Sequence, residues 1–171
     1  DLGNVQAVRA MLGPGEQLML DANQAWSLEA ALAIVPQLEA LGIGWLEEPL
    51  RADAPVAHWQ RLRAIAGIPL AAGENLIGAA AFAAAIDAGA LTVLQPDVAK
   101  WGGISGCWPV IRHIRAAGLR FCPHYLGAGV GLLASAHVLA AAGGDGMLEV
   151  DANPNPLRTH LAPHLETPRN G

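Results

Sequence analysis

A chain of 171 residues, 53% hydrophobic and 15% charged, is long enough to bury a sizeable core and too apolar for a disordered segment. A net charge of −5 and the lack of any Lys/Arg run argue against a nucleic-acid-binding face. No basic-then-apolar leader opens the sequence, and its apolar stretches are interrupted well before the roughly 18 residues of a membrane span. Cys107 and Cys122 lack CxxC spacing. The expectation is a soluble, cytoplasmic protein with two reduced, buried thiols and no nucleic-acid or membrane partner.

Short β-like apolar runs alternate with stretches of helical period. The opening NVQAVRAML (4–12) reads as the end of a helix. QLMLDAN (17–23) is a strand followed by a helix over 27–42, with Ser27 as N-cap, Gly42 as stop and Pro36 marking a kink or an early end. GWLEEP (44–49), IPLAAGEN (68–75), LTVLQPD (91–97) and LRFCPH (119–124) are further strands. Helical segments follow them over 54–67, 78–89, 102–118 and 129–144, and GMLEVDANP (146–154) closes the series as a sixth strand. Strands this apolar, joined by helices, imply an α/β fold with a parallel sheet buried on both faces, either doubly wound or a (β/α)8 barrel. No GxGxxG or P-loop follows a strand, which removes the commonest nucleotide-binding reason for the open sheet.

A polar, titratable residue ends every strand: Asp21, Glu47 or Glu48, Glu74, Asp97, His124 and Glu149. Taking Glu47, successive separations are 26, 27, 23, 27 and 25 residues, one βα unit each. The side chains therefore belong to one rim of the sheet, which in a barrel is the catalytic rim. A merely solvated set of acids would scatter over helices, as Glu29, Glu39 and Asp87 do.

Three carboxylates at one point repel unless a divalent cation sits among them, and an all-oxygen set suits Mg²⁺ or Mn²⁺ better than Zn²⁺. Asp97 beside His124 would fix the imidazole tautomer and make His124 a competent general base near neutral pH. Glu149 would bind a substrate oxygen, either as a protonated donor or as an acceptor. His58, His113, His137, His160 and His164 read as surface or packing residues. A metal with a base to one side suits removal of the C–H proton next to a carboxylate.

The motifs LDANQ (20–24), WLEEP (45–49), AAGEN (71–75), QPDVAKWGGIS (95–105), CPH (122–124) and LEVD (148–151) together resemble the enolase superfamily, in particular its mandelate racemase subgroup with the acid-sugar dehydratases. The resemblance implies a TIM-type (β/α)8 barrel of which residues 1–171 carry strands three to eight. In that expectation the chain is a partial barrel catalytic domain of a longer polypeptide, without the N-terminal capping domain, the first two strands or the family's K-x-K motif. It further implies Asp21, Glu47 and Glu74 as Mg²⁺ ligands, Asp97 and His124 as the catalytic dyad, and Asn23 and Glu149 as substrate-binding residues. The implied reaction is dehydration of a hydroxy- or sugar acid, with racemisation or epimerisation, or an inactive fragment of such an enzyme, as the alternatives. Glu48 would point away in the pleat and need its own partner, for which Lys100 is a candidate. Alanine-rich helices suit packing into a homo-oligomer.

Overall fold

The computed structural model describes residues 2–163; His164 lies outside them. Helices and strands alternate along the chain: α1 (Leu2–Met11), β1 (Leu20–Asp21), α2 (Leu28–Glu39), β2 (Leu46–Glu47), α3 (Val56–Ile65), β3 (Leu70–Ala72), α4 (Ala79–Asp87), β4 (Val93–Leu94), α5 (Gly103–Ala116), β5 (Arg120–Phe121), α6 (Gly129–Ala142) and α7 (Pro156–Leu161). The strands form a five-stranded sheet in chain order, β1-β2-β3-β4-β5, parallel in the pairs β1/β2, β2/β3 and β4/β5. The chain divides into two compact units, Asp1–Ala72 with Asp87–Thr92 and Gly73–Ile86 with Val93–Gly171.

In the first unit, Leu20, Leu46 and Leu70 stand in register across β1, β2 and β3, with Asp21 against Glu47 and Glu47 against Ala71 one residue later. The pairing reaches past the short strands. The amides of Gly44, Leu20, Ala22 and Gln24 bond to the carbonyls of Leu18, Trp45, Glu47 and Glu48 in turn. Helix α2 starts where Ser27 Oγ accepts the Ala30 amide, and it buries Leu28, Ala31, Val35 and Leu38. Pro36 does not stop it early; α2 runs on to Glu39.

In the second unit, β4 and β5 pair as Val93 with Arg120 and Leu94 with Phe121. Their core is Phe82 from α4, Cys107, Val110, Ile111 and Ile114 from α5, and Leu132 and Val138 from α6. Two elements depart from the sequence reading. Residues 146–154 form no strand: the Met147 amide goes to the Cys122 thiol (3.4 Å) instead of a neighbouring carbonyl, so no ladder develops there. The segment after it contains α7, whose N-cap Asn155 accepts from the Leu157 and Arg158 amides, with Pro156 at the first helical position. That Asn-Pro start is a helix signal the sequence carried. No helix among the described residues is long and apolar enough to cross a membrane.

Candidate active site

Strand ends in the first unit place Asp21 and Glu47 as in-register neighbours on parallel strands. The chain leaves β1 through a tight turn in which Asp21 Oδ1 accepts the Asn23 amide at 2.7 Å, with Asn23 and Gln24 both in the left-handed region (φ 46° and 60°). Asparagine visits that region more readily than most L residues. Glu47 is buried, and its Oε2 accepts from the Trp45 indole at 3.1 Å. Glu48 is only 3% exposed and sits at φ 39°, so the backbone has left the extended region and the pleat no longer sets its direction. Its suggested partner, Lys100, is engaged elsewhere, with Glu74.

The second unit gathers four of the strand-end residues around one ring. His124 is 4% exposed and Asp97 5%. His124 Nδ1 lies 2.8 Å from Asp97 Oδ2, and Nε2 lies 2.9 Å from Glu74 Oε2 and 3.9 Å from Glu149 Oε2. The outer oxygens of Asp97 and Glu74 are also satisfied. Asp97 Oδ1 accepts from the amides of Ala99 (2.6 Å) and Lys100 (3.2 Å). Glu74 Oε1 accepts from Lys100 Nζ (2.8 Å) and Asn75 Nδ2 (3.2 Å), and Glu149 Oε2 accepts the Tyr125 amide (2.8 Å). Glu149 thus reaches the ring from the irregular segment rather than from a strand.

An imidazole that faces a carboxylate at each nitrogen can satisfy both only by carrying both protons. Burial disfavours that charge, but the hydrogen bonds to Asp97 and Glu74 and the charges of Glu74 and Glu149 outweigh it, raising the His124 pKa to about 10. For Glu74, burial pushes up and the His124 and Lys100 bonds pull down harder, leaving its pKa at about 2. The same contest holds Asp97 below its usual range. These contacts favour the charged ring and pull His124 above the usual imidazole range, where the sequence suggested a base poised near neutrality.

The sign of the coupling sets a pH window. The Glu74 contribution to stability is full above its ordinary 4.5 and is lost as pH falls toward 2. The His124 contribution is full below 6.5 and is lost as pH rises through about 10. Melting scans without divalent cations should peak near pH 5–6.5 and fall on both sides. The alkaline fall should flatten in Glu74→Gln; a wild-type melting temperature constant between pH 6.5 and 9 would contradict this coupling.

The donor chemistry of Asp21, Glu47 and Glu74 fits a hard divalent cation, being all carboxylate oxygen. Among the described residues, no three or more His, Cys, Asp and Glu side chains are grouped as a metal site requires. His58, His113, His137 and His160 are exposed. Two contributors escaped the sequence reading: the Tyr125 amide, which has no residue signature, and Lys100 as partner of Glu74, which its place three residues after Asp97 signals only weakly.

Parallel strands whose ends supply carboxylates and a buried His–Asp pair define the α/β class of this chain. The chain matches the family model described as enolase C-terminal domain-like over residues 1–171, and it belongs to that family of enzymes. A crystal structure of a mandelate racemase/muconate lactonizing enzyme from Bordetella bronchiseptica RB50 is 56% identical, with a TM-score of 0.93, covering 98% of this chain and 47% of that one. The D-galactarolactone cycloisomerase of Agrobacterium fabrum is 34% identical over 92% of this chain and 44% of its own length. L-talarate dehydratase from Polaromonas sp. JS666, solved with Mg and L-glucarate, is 32% identical at a TM-score of 0.79, covering 88% of this chain and 41% of that one. The chain thus spans less than half the length of each of these relatives.

Proposed function

We propose that this chain carries the acid–base machinery of an enzyme that removes the proton α to the carboxylate of a hydroxy- or sugar acid and dehydrates it to a 2-keto-3-deoxy acid. The observation that carries this reading is His124, buried and held at both ring nitrogens by Asp97 and Glu74 with Glu149 close by. The dehydratase solved with Mg and an acid sugar supports the substrate class and the metal. Mg²⁺, or Mn²⁺ in its place, would be held by Asp21, Glu47 and Glu74 and would supply positive charge against the substrate carboxylate as its charge builds.

His124 takes the α-proton at Nε2 while Asp97 holds Nδ1–H and stabilises the imidazolium. The electron pair left at Cα forms the enediolate. Its collapse expels the β-hydroxyl, which leaves as water with the proton from His124 Nε2. The enol left behind then tautomerises to the 2-keto acid. The first step needs a neutral ring. Relief of the Glu74 charge would weaken its hold on the Nε2 proton and bring His124 toward neutral pH. Glu149, steadied by the Tyr125 amide, and Asn23 would bind substrate oxygens.

A second reading, racemisation or epimerisation, draws on the relative described as a mandelate racemase/muconate lactonizing enzyme. It shares the first step and differs in the fate of the enediolate. The buried thiols Cys107 and Cys122, the former raised to about 11 by burial, form no disulfide and suit a reducing cytoplasm. Proton NMR in D₂O with Mg²⁺ and a panel of sugar acids, on the polypeptide from the reading frame extended at both ends, tests the proposal. Dehydration shows as loss of the acid and growth of a 2-keto-3-deoxy product. Exchange of the α-proton without loss of acid would favour the second reading, and silence with every acid would overturn both.

A further inference from the structure

Asp97 and Glu74 each use only one oxygen to face His124, and the other oxygen of each is met by the segment just after Asp97. The Lys100 amide donates to Asp97 Oδ1, beside the Ala99 amide, and the Lys100 ammonium donates to Glu74 Oε1. One residue therefore touches both acids of the His124 pair. The segment itself is pinned. The Trp101 amide bonds the Asp97 carbonyl at 3.1 Å, the Cys107 thiol donates to the Trp101 carbonyl at 3.1 Å, and the Trp101 ring packs on the buried Phe82 at 5.9 Å.

We propose that Lys100 is a positioning residue: it occupies the outer oxygens of Asp97 and Glu74, so that Asp97 Oδ2 and Glu74 Oε2 are left to face the two nitrogens of His124. The terminal torsion of a glutamate is broad, and without Lys100 only the longer 3.2 Å contact from the neighbouring Asn75 side-chain amide would hold the outer oxygen. A second donor on the opposite oxygen removes that freedom. Unlike the exposed Arg51–Asp53 pair, the ammonium here sits on a Glu74 side chain only 14% exposed. Its worth is orientation of a shared carboxylate rather than Coulomb energy between solvated charges. The proposal rests, for its consequence on rate, on His124 being the proton-transfer group described above.

Lys100→Met in the extended polypeptide tests it. The residue is exposed, so the variant should fold and melt within a few degrees of wild type. Two signals are read: the His124 ring N–H resonances, without substrate or added metal, and the steady-state constants with the acid found active. The Nε2–H resonance should shift or broaden while Nδ1–H keeps its position, because the main-chain donors to Asp97 remain. The kcat should fall about tenfold to a hundredfold with KM little changed, as for other groups that orient a catalytic partner. An unchanged Nε2–H resonance overturns the proposal whatever the rate does, and so does a kcat within twofold of wild type. The ring signal needs no substrate, so a wrong choice of reaction fails in the turnover assay alone and leaves the placement of Lys100 to be judged on the resonance.

Discussion

His124→Asn in the extended polypeptide should lose kcat by about 10²–10⁴, the range expected when a positioned acid–base group is removed. Exchange of the α-proton with solvent should disappear along with product. The two must fall together, because in the proposed reaction the same nitrogen takes the α-proton and returns it to the leaving hydroxyl. The prediction is sharpened by what surrounds the ring. Asp97 is buried, Glu74 nearly so, and both are held in their charged forms by the imidazolium between them. Taking the ring away leaves two carboxylates close together with one cation fewer, and Asp97 should then titrate at higher pH. Asparagine keeps a donor toward Asp97 Oδ2 and limits that damage, so the folded fraction, checked by circular dichroism, should stay high enough for the rate to be read. A variant that turns over within tenfold of wild type would remove His124 from the chemistry.

The strand-end rule made most of this site legible. Asp97, His124 and Glu74 are far apart in sequence, yet a parallel α/β repeat delivers each strand's last polar residue to one rim, so spacing alone grouped them. The helices were legible from their apolar period and, for α2, from Ser27. What the spacing could not show was which contacts those residues choose. Lys100 reaches Glu74 across 26 positions through a long, flexible side chain that leaves no periodic trace. Glu48 takes a positive φ that a pleat argument does not anticipate. Glu149 arrives on a stretch that looked like a strand because its residues are apolar, whereas its backbone is spent on a thiol and its carboxylate on a main-chain amide. Charge state was the largest gap: a His beside one Asp reads as a base, but a His between two carboxylates is an acid until one of them is neutralised.

Gly73→Ala should be strongly damaging, because it strikes both the fold and the site. Gly73 sits at φ 145°, where an L side chain is strained, and a Cβ there would lie 2.6 Å from the Gln95 amide nitrogen and 3.0 Å from its carbonyl carbon. Those are main-chain atoms, so no rotamer change relieves the clash. Backbone strain of about 1–3 kcal/mol and overpacking of about the same size add to roughly 2–6 kcal/mol. For a domain of this size each kcal/mol lowers the melting temperature by about 2–4 °C, so a fall of roughly 5–20 °C is expected. Gly118→Ala is the control: its φ is also positive (74°), but no atom lies within 4 Å of the added Cβ, so only the strain remains. The position of the clash ties stability to chemistry. Glu74 follows Gly73 directly and Asp97 stands two residues beyond Gln95, so any shift that makes room for the methyl displaces the two carboxylates that grip His124. Gly73→Ala assayed well below its own melting temperature should therefore still be slow, with the His124 ring resonances moved, while Gly118→Ala keeps both. Equal melting temperatures for the two variants would show that the close approach of Gly73 to Gln95 is not a constraint on the fold.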